Sequence, residues 1–139
     1  MDNPTRLYLL RHGEVEARYH RVFGGKIDME LSPLGLEQVK ALADYFERHP
    51  PHVIYSSPMK RVRQTLEPLA KWTGLEPLVL QALREVDFGE WTGLSWEQVY
   101  ERFKVSAFDW LNQLETGSIA QAGSTADFRT RVEEALRQI

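Results

Sequence analysis

Three short apolar segments, each followed by a helix signal, constrain the fold of this chain most. They are residues 7–10, 53–55 and 78–80. Strands that alternate with helices are typical of βαβ units, in which helices cover the faces of a largely parallel sheet. The pattern therefore predicts an α/β fold. In such folds ligands bind beyond the carboxyl ends of the strands, so the residues that follow these segments are the first candidates for a site.

Each predicted helix after these segments has its own start signal. The signals are Ser32 before Pro33, Ser57 before Pro58, and the possible capping box of Ser95 with Gln98. A serine oxygen accepts a hydrogen bond from a free N–H of the first turn, and proline fits the first helical position. We expect the first helix to end near Arg48, before two prolines, and the second to end at Gly74.

The last part of the chain predicts a linker and one more helix. Residues 117–124 read GSIAQAGS, and Ser124 then precedes a helical pattern that continues to Ile139. At 139 residues the chain suits a single domain, residues 1–139. Because no stop signal closes the last helix, this domain is expected to be incomplete at its C-terminus.

Composition excludes several classes of protein. The apolar fraction is 42%, with no apolar stretch long enough to cross a membrane, so a membrane partner is not expected. A net charge of -3 argues against a nucleic-acid partner. The absence of cysteine rules out disulfides and a thiolate nucleophile within these 139 residues, and it agrees with a cytoplasmic location.

The first apolar segment ends on residues that suit phosphate chemistry. Arg11 can bind an anion through two parallel hydrogen bonds, and the imidazole of His12 titrates near neutral pH. Gly13 lets the backbone approach a ligand closely. Arg61 follows the second segment and is expected at the same edge of the sheet, although Arg61 by itself is more typical of a solvated helix face. The sequence thus predicts a histidine between two phosphate-binding arginines.

Phosphoryl transfer also needs a proton donor for the leaving oxygen. A carboxylic acid of raised pKa serves this purpose in many enzymes. Glu85, Asp87 and Glu90 all follow the third segment, in LREVDFGEW. Their spacing alone does not choose among the three.

Four blocks in order resemble the histidine phosphatase superfamily, also called phosphoglycerate mutase-like. They are LYLLRHGEVE, GGKIDMELSPLG, IYSSPMKRVRQT and LREVDFGEWTG, and AGSTADFRTRV extends the match more weakly. The resemblance implies a three-layer α/β/α fold and a phosphohistidine mechanism without metal or other cofactor. Within it His12 is the expected nucleophile, Glu85 the general acid, and Arg11 and Arg61 the phosphate clamps. Arg18 is expected near the phosphate, and Gly24 and Gly25 in a loop that borders the substrate.

The resemblance also sets limits on the expected function. Members of the family continue through a strand that ends in a second histidine, and no histidine after His12 has that context here. The leading hypothesis is hydrolysis of a small phosphorylated metabolite, with activity impaired by truncation. The segment after Glu85 is most similar to the α-ribazole phosphatase-type and broad phosphatases. The alternatives are a mutase or a phosphate-binding remnant without turnover, and an incomplete sheet favours a homodimer.

Overall fold

The computed structural model describes residues 4–139 and contains helices, short strands and 3-10 turns. In chain order the main elements are α1 (Pro33–Glu47), β1 (Tyr55–Ser56), α2 (Lys60–Thr73), β2 (Leu78–Val79), α3 (Trp96–Phe103), α4 (Trp110–Glu115) and α5 (Thr125–Gln138). The 3-10 turns are Ala17–Tyr19, Gln81–Leu83, Gly89–Trp91 and Ala107–Asp109. Within residues 4–139, no helix combines the length and apolarity that a membrane span requires.

The two strands and the helix between them form the predicted kind of unit. β1 pairs with β2 in parallel, with Tyr55 opposite Leu78 and Ser56 opposite Val79. The pairing extends beyond the strands, since the N–H of Leu78 donates to the carbonyl of Ile54 at 2.8 Å. Because α2 connects the strands, this part of the chain is a βαβ unit, as the alternation predicted.

The first predicted strand is not formed. Residues 7–10 have no ladder partner within the part of the chain that the structure describes, and Leu9 is 84% exposed. Tyr8 alone is anchored, edge-on against Phe46 of α1 with ring centroids 5.1 Å apart. An apolar segment becomes a strand only when a neighbouring strand supplies hydrogen-bond partners. The apolar pattern of the segment itself does not show whether such a neighbour is present.

The helix-start signals are confirmed with one correction. The hydroxyl of Ser32 accepts from the N–H of Gly35 at the start of α1, and Ser95 and Gln98 form the reciprocal capping box of α3. α2, however, begins at Lys60 rather than directly after Ser57. There the side chain of Asp28, from a distant loop, accepts from the N–H of Lys60 at 2.7 Å, so this helix start is stabilised by a tertiary contact.

Two apolar clusters fill the interior. The smaller one joins α1, β1 and α2 and consists of Phe46, Ile54, Leu66 and Leu69. The larger one lies beneath α3, α4 and the loops around them and consists of Phe23, Val86, Phe88, Trp91, Val99, Ala107, Leu114 and Ile119. The first cluster therefore supports the segment that carries His12, and the second supports the segment that follows Glu85.

The predicted linker at residues 117–124 is instead a packed part of the domain. Ile119 is buried in the larger cluster. The N–H of Glu90 donates to the carbonyl of Ala120 at 2.9 Å, and the N–H of Gly123 donates to the carbonyl of Asp87 at 3.0 Å. Glycine, serine and alanine are small enough here to let two backbone segments approach each other. The same small residues are also typical of flexible linkers, so composition alone does not distinguish the two cases.

Candidate active site

The ring of His12 is held in one tautomer. Its Nδ1 lies 2.8 Å from the carbonyl oxygen of Gly13. A carbonyl oxygen can only accept, so Nδ1 carries the hydrogen and the neutral ring has its lone pair on Nε2. Partial burial lowers the pKa of His12, the positive charges of Arg61 and Arg11 lower it further, and the Gly13 hydrogen bond and Glu85 oppose them. The neutral, nucleophilic form is thereby favoured.

Thr65 of α2 connects His12 to Arg61. Its hydroxyl accepts from the N–H of Gly13 at 3.1 Å and donates to the carbonyl of Arg61 at 2.7 Å. Thr65 and Arg61 are 3% and 5% exposed. This chain of two buried hydrogen bonds fixes the His12 loop relative to the helix that carries Arg61.

The His12 loop also lies directly on α1. A Cβ atom at Gly35 would lie 2.1 Å from the carbonyl oxygen of Glu14, and one at Gly13 would lie 2.9 Å from the carbonyl oxygen of Gly35. Both distances are too short for any side chain. The two glycines thus allow the loop and the helix to pack backbone against backbone.

Two arginines surround the ring with positive charge. Arg61 is buried and donates to the carbonyl of Ile27 at 3.2 Å, and Arg11 is exposed. Burial lowers the pKa of Arg61, while the carboxylates of Glu85 and Asp28 oppose that effect. Among the hydrogen bonds of residues 4–139, the Arg61 guanidinium donates only through Nη1, and a buried guanidinium with further donors available is suited to bind an anion.

Of the three acidic candidates, Glu85 is the one whose charge acts on His12. Its negative charge acts on the pKa of both His12 and Arg61, and its Oε1 accepts from the N–H of Val86 at 2.8 Å. Asp87 instead contacts the Nζ of Lys26 at 3.6 Å. Glu90 accepts from the N–H of Ala120 at 3.1 Å. The structure therefore separates the three carboxylates that sequence spacing left equivalent.

The imidazole of His12 is thus within electrostatic reach of two guanidinium groups and one carboxylate. Within residues 4–139, no group of three or more His, Asp or Glu side chains has the arrangement of a metal site. A profile of the histidine phosphatase superfamily, branch 1, matches residues 7–139. The chain belongs to this family.

Relatives within the histidine phosphatase superfamily match the chain along most of its length. Phosphoserine phosphatase 1 of Hydrogenobacter thermophilus is 31% identical over 135 residues, which are 97% of this chain and 64% of the relative. A glucosyl-3-phosphoglycerate phosphatase of Mycobacterium tuberculosis is 37% identical over 94 residues, 68% of this chain and 42% of the relative. The chain thus spans less than two thirds of the length of these relatives.

Solved structures agree with this family assignment. A structure described as mycobacterial hydrolase 1 superposes with a TM-score of 0.80 at 28% identity, over 91% of this chain and 61% of the other. The α-ribazole phosphatase of Shigella flexneri gives a TM-score of 0.80 at 20% identity, over 93% of this chain and 64% of the other. At that identity the second likeness concerns the fold alone, so the predicted similarity to α-ribazole phosphatases in function stays a prediction.

The remaining predicted site residues, Arg18, Gly24 and Gly25, make other contacts in the structure. Arg18 is exposed and bound to Glu16, with Nη2 2.7 Å from Oε2. Gly25 is buried with φ of 46°, and a Cβ there would contact the carbonyl oxygen of Val86 at 3.4 Å. The carbonyl of Gly24 accepts from the N–H of Ile27 at 2.8 Å. The two glycines therefore form a turn against the segment that follows Glu85, and their contact with a substrate stays a prediction.

Sequence reasoning missed two residues that shape this site. Thr65 lies inside the quoted block IYSSPMKRVRQT, and Arg131 lies inside AGSTADFRTRV. The first links Gly13 to α2 and the second contacts the carbonyl of Glu85 from α5. For Thr65, its position one helical turn after Arg61 was a usable signal, because i and i+4 share a helix face. For Arg131 the separation of 46 residues from Glu85 left no local signal.

Proposed function

We propose that this chain hydrolyses a small phosphomonoester through a phosphohistidine formed on His12. The observation that carries the proposal is the hydrogen bond from Nδ1 of His12 to the carbonyl of Gly13, at 2.8 Å. It leaves Nε2 free to attack while the guanidinium groups of Arg11 and Arg61 lie near the same ring. Family membership supports a phosphatase, since the relatives named above carry that name.

In the first step Nε2 of His12 attacks phosphorus and the ester P–O bond breaks. Arg61 and Arg11 bind the non-bridging oxygens, whose charge they stabilise through the transition state. The leaving oxygen takes a proton from the carboxylic acid of Glu85, and the alcohol departs. The result is a phosphoryl group on Nε2 and a carboxylate on Glu85.

In the second step water attacks the phosphoryl group. The P–N bond breaks, Glu85 accepts the proton from the water, and inorganic phosphate leaves with His12 neutral again. This step distinguishes a phosphatase from a mutase, in which a phosphorylated alcohol rather than water would receive the phosphoryl group. Glu85 is exposed whereas Arg61 is buried, which supports access of water to the Glu85 carboxylate.

The same proposal includes the full sheet of the family. We infer that residues 7–10 lie beside the parallel pair of β1 and β2 in a three-layer α/β/α arrangement, although they form no ladder pairing within residues 4–139. The fold likeness at a TM-score of 0.80 supports it, as does the anchoring of Tyr8 on Phe46 of α1. A site at the carboxyl end of that segment, where His12 lies, agrees with where α/β sheets bind ligands.

The test compares turnover and covalent labelling in matched histidine variants. The wild-type chain is expected to hydrolyse p-nitrophenyl phosphate and, among natural esters, O-phosphoserine or glucosyl-3-phosphoglycerate, the substrates in the names of its relatives. His12→Asn is expected to abolish turnover, and His52→Asn, which changes an exposed loop histidine, should retain it. Rapid quenching in base should trap phosphate on the wild-type chain and on His52→Asn but not on His12→Asn, because phosphohistidine is stable in base and labile in acid.

Two outcomes would contradict the proposal. Turnover that survives in His12→Asn would exclude His12 as the nucleophile. Binding of inorganic phosphate by a wild-type chain that hydrolyses none of these esters would instead indicate a phosphate-binding protein without catalysis.

A further inference from the structure

Arg131 of α5 binds the backbone that carries Glu85. Its Nη1 donates to the carbonyls of Ala82 and Arg84, each at 2.7 Å, and its Nη2 donates to the carbonyl of Glu85 at 3.4 Å. The guanidinium also lies over the ring of Phe128, with Cζ 4.9 Å from the ring centroid. A single side chain therefore contacts three carbonyls within four consecutive residues.

The charged guanidinium of Arg131 binds these carbonyls rather than a carboxylate. Within residues 4–139, no acidic side chain lies within 4.0 Å of its guanidinium nitrogens. Hydrogen bonds from an ionised donor are shorter and stronger than neutral ones, and the guanidinium fork directs several of them at fixed angles. Arg131 is thus built as an anchor for one loop and not as half of an ion pair.

Glu85 is exposed and lies between the 3-10 turn Gln81–Leu83 and buried Val86. Because its side chain is exposed, the position of the carboxylate is set mainly by the backbone that carries it. The carboxylate itself accepts only from the N–H of Val86 among the described hydrogen bonds. Its distance to His12 therefore depends on where the 82–86 backbone lies, and α5 supplies the longest-range contact that fixes it.

We propose that Arg131 is a positioning residue for the general acid: it holds the backbone of residues 82–85 so that the Glu85 carboxyl faces the leaving oxygen above His12. This inference rests on the proposed function for the role of Glu85. It adds that the reaction depends on a residue of the last helix, which never touches the substrate.

Such a role has a signature that general loss of folding lacks. Nitrophenolate is a stable leaving group and departs without a proton, whereas the alkoxide of O-phosphoserine needs one. A displaced general acid therefore slows phosphoryl transfer from O-phosphoserine to His12, measured as kcat/KM, far more than transfer from p-nitrophenyl phosphate. A smaller folded fraction would slow both by the same factor.

The experiment measures kcat and KM for both esters in Arg131→Gln, Arg131→Lys and the control Arg129→Gln, an exposed arginine of the same helix. For Arg131→Gln we expect kcat/KM on O-phosphoserine to fall by roughly 10-fold or more, within the range of a lost acid. On p-nitrophenyl phosphate the fall in kcat/KM should stay within about 3-fold, because departure of nitrophenolate needs little acid assistance. Arg131→Lys should recover part of the loss, and Arg129→Gln should match wild type.

Amide hydrogen exchange provides a readout that needs no turnover. Arg131→Gln should speed exchange at residues 82–88 and leave α2 at its wild-type rate. Equal losses of kcat/KM on both esters, or unchanged exchange at residues 82–88, would overturn the positioning role. A wild-type chain inactive on both esters would refute the proposed function instead, and the exchange result alone would then decide whether Arg131 anchors this loop.

Discussion

The two sides of the site are held in opposite ways. On the His12 side, buried hydrogen bonds join Gly13, Thr65 and Arg61, and both Thr65 and Arg61 are at most 5% exposed. On the Glu85 side, the carboxylate is exposed and its backbone is anchored from a separate helix by Arg131. The side that would bind phosphate is therefore held by a buried hydrogen-bond network, and the side that would exchange a proton with the leaving group and water is exposed.

This difference follows from what each side has to do. Binding and polarising a phosphoryl group is strongest where donors are preorganised and water is excluded. A general acid that becomes a base in the next step has to meet a leaving alcohol and then a water molecule. Burial of Glu85 to the extent of Arg61 would restrict both exchanges.

The largest expected effect separates binding from proton transfer. Arg61→Gln should lower kcat/KM by roughly 10²–10³-fold, because it removes a preorganised charge from the developing transition state. It should also weaken competitive inhibition by inorganic phosphate. Glu85→Gln should lower kcat on O-phosphoserine by about 10²-fold or more through loss of the acid. It should leave phosphate inhibition intact or stronger, since one negative charge is removed from beside the anion.

Steady-state kinetics with phosphate as inhibitor check this pair of variants. Lys71→Gln serves as the control for loss of a positive charge on α2, because Lys71 is exposed and pairs with Glu67. Equal weakening of phosphate binding in Arg61→Gln and Glu85→Gln would show that the two sides do not divide the work in this way.

A smaller effect is expected from the buried link between the His12 loop and α2. Thr65→Val keeps the shape of the side chain but leaves the N–H of Gly13 without its acceptor. An unsatisfied buried donor costs about 1–3 kcal/mol, so the urea midpoint should fall by the corresponding amount. Thr65→Ser retains the hydroxyl and should recover most of the stability. A Thr65→Val midpoint equal to that of wild type would show that the loop is fixed by other contacts.

Local signals in the sequence predicted those parts of the fold that depend on a few neighbouring residues. Ser32 with Pro33, the Ser95 box and Gly74 each define a helix end through contacts within four residues, and all three are confirmed. The start of α2 was predicted too early because Asp28, more than thirty residues away, supplies its cap. Residues 7–10 were predicted as a strand because apolar patterning reports burial tendency and not the presence of a partner.

The same contrast applies to the site. His12, Arg61 and Glu85 were predicted from chemistry and motif, and the structure brings their charges together. The choice of Glu85 over Asp87 and Glu90 needed either the family resemblance or the geometry, because three carboxylates in six residues have the same composition. Arg131 required the structure, since its three acceptors are carbonyls, which every residue carries.

The smallest expected effect is a shift in the pH dependence of His12. Only the neutral ring attacks, so kcat/KM should fall as the pH drops through the pKa of His12 in the free enzyme. Burial and the two arginines lower that pKa, which places the acid limb below the ordinary value of about 6.5. Arg11→Gln removes one of these positive charges without touching the buried network, so the limb should move to higher pH. Glu85→Gln removes the opposing negative charge and should lower the pKa of the ring.

NMR titration of the His12 ring measures both pKa shifts even where turnover is slow. The His12 signal is assigned by its absence in His12→Asn. Shifts of the same sign would contradict the opposed charges of the two sides.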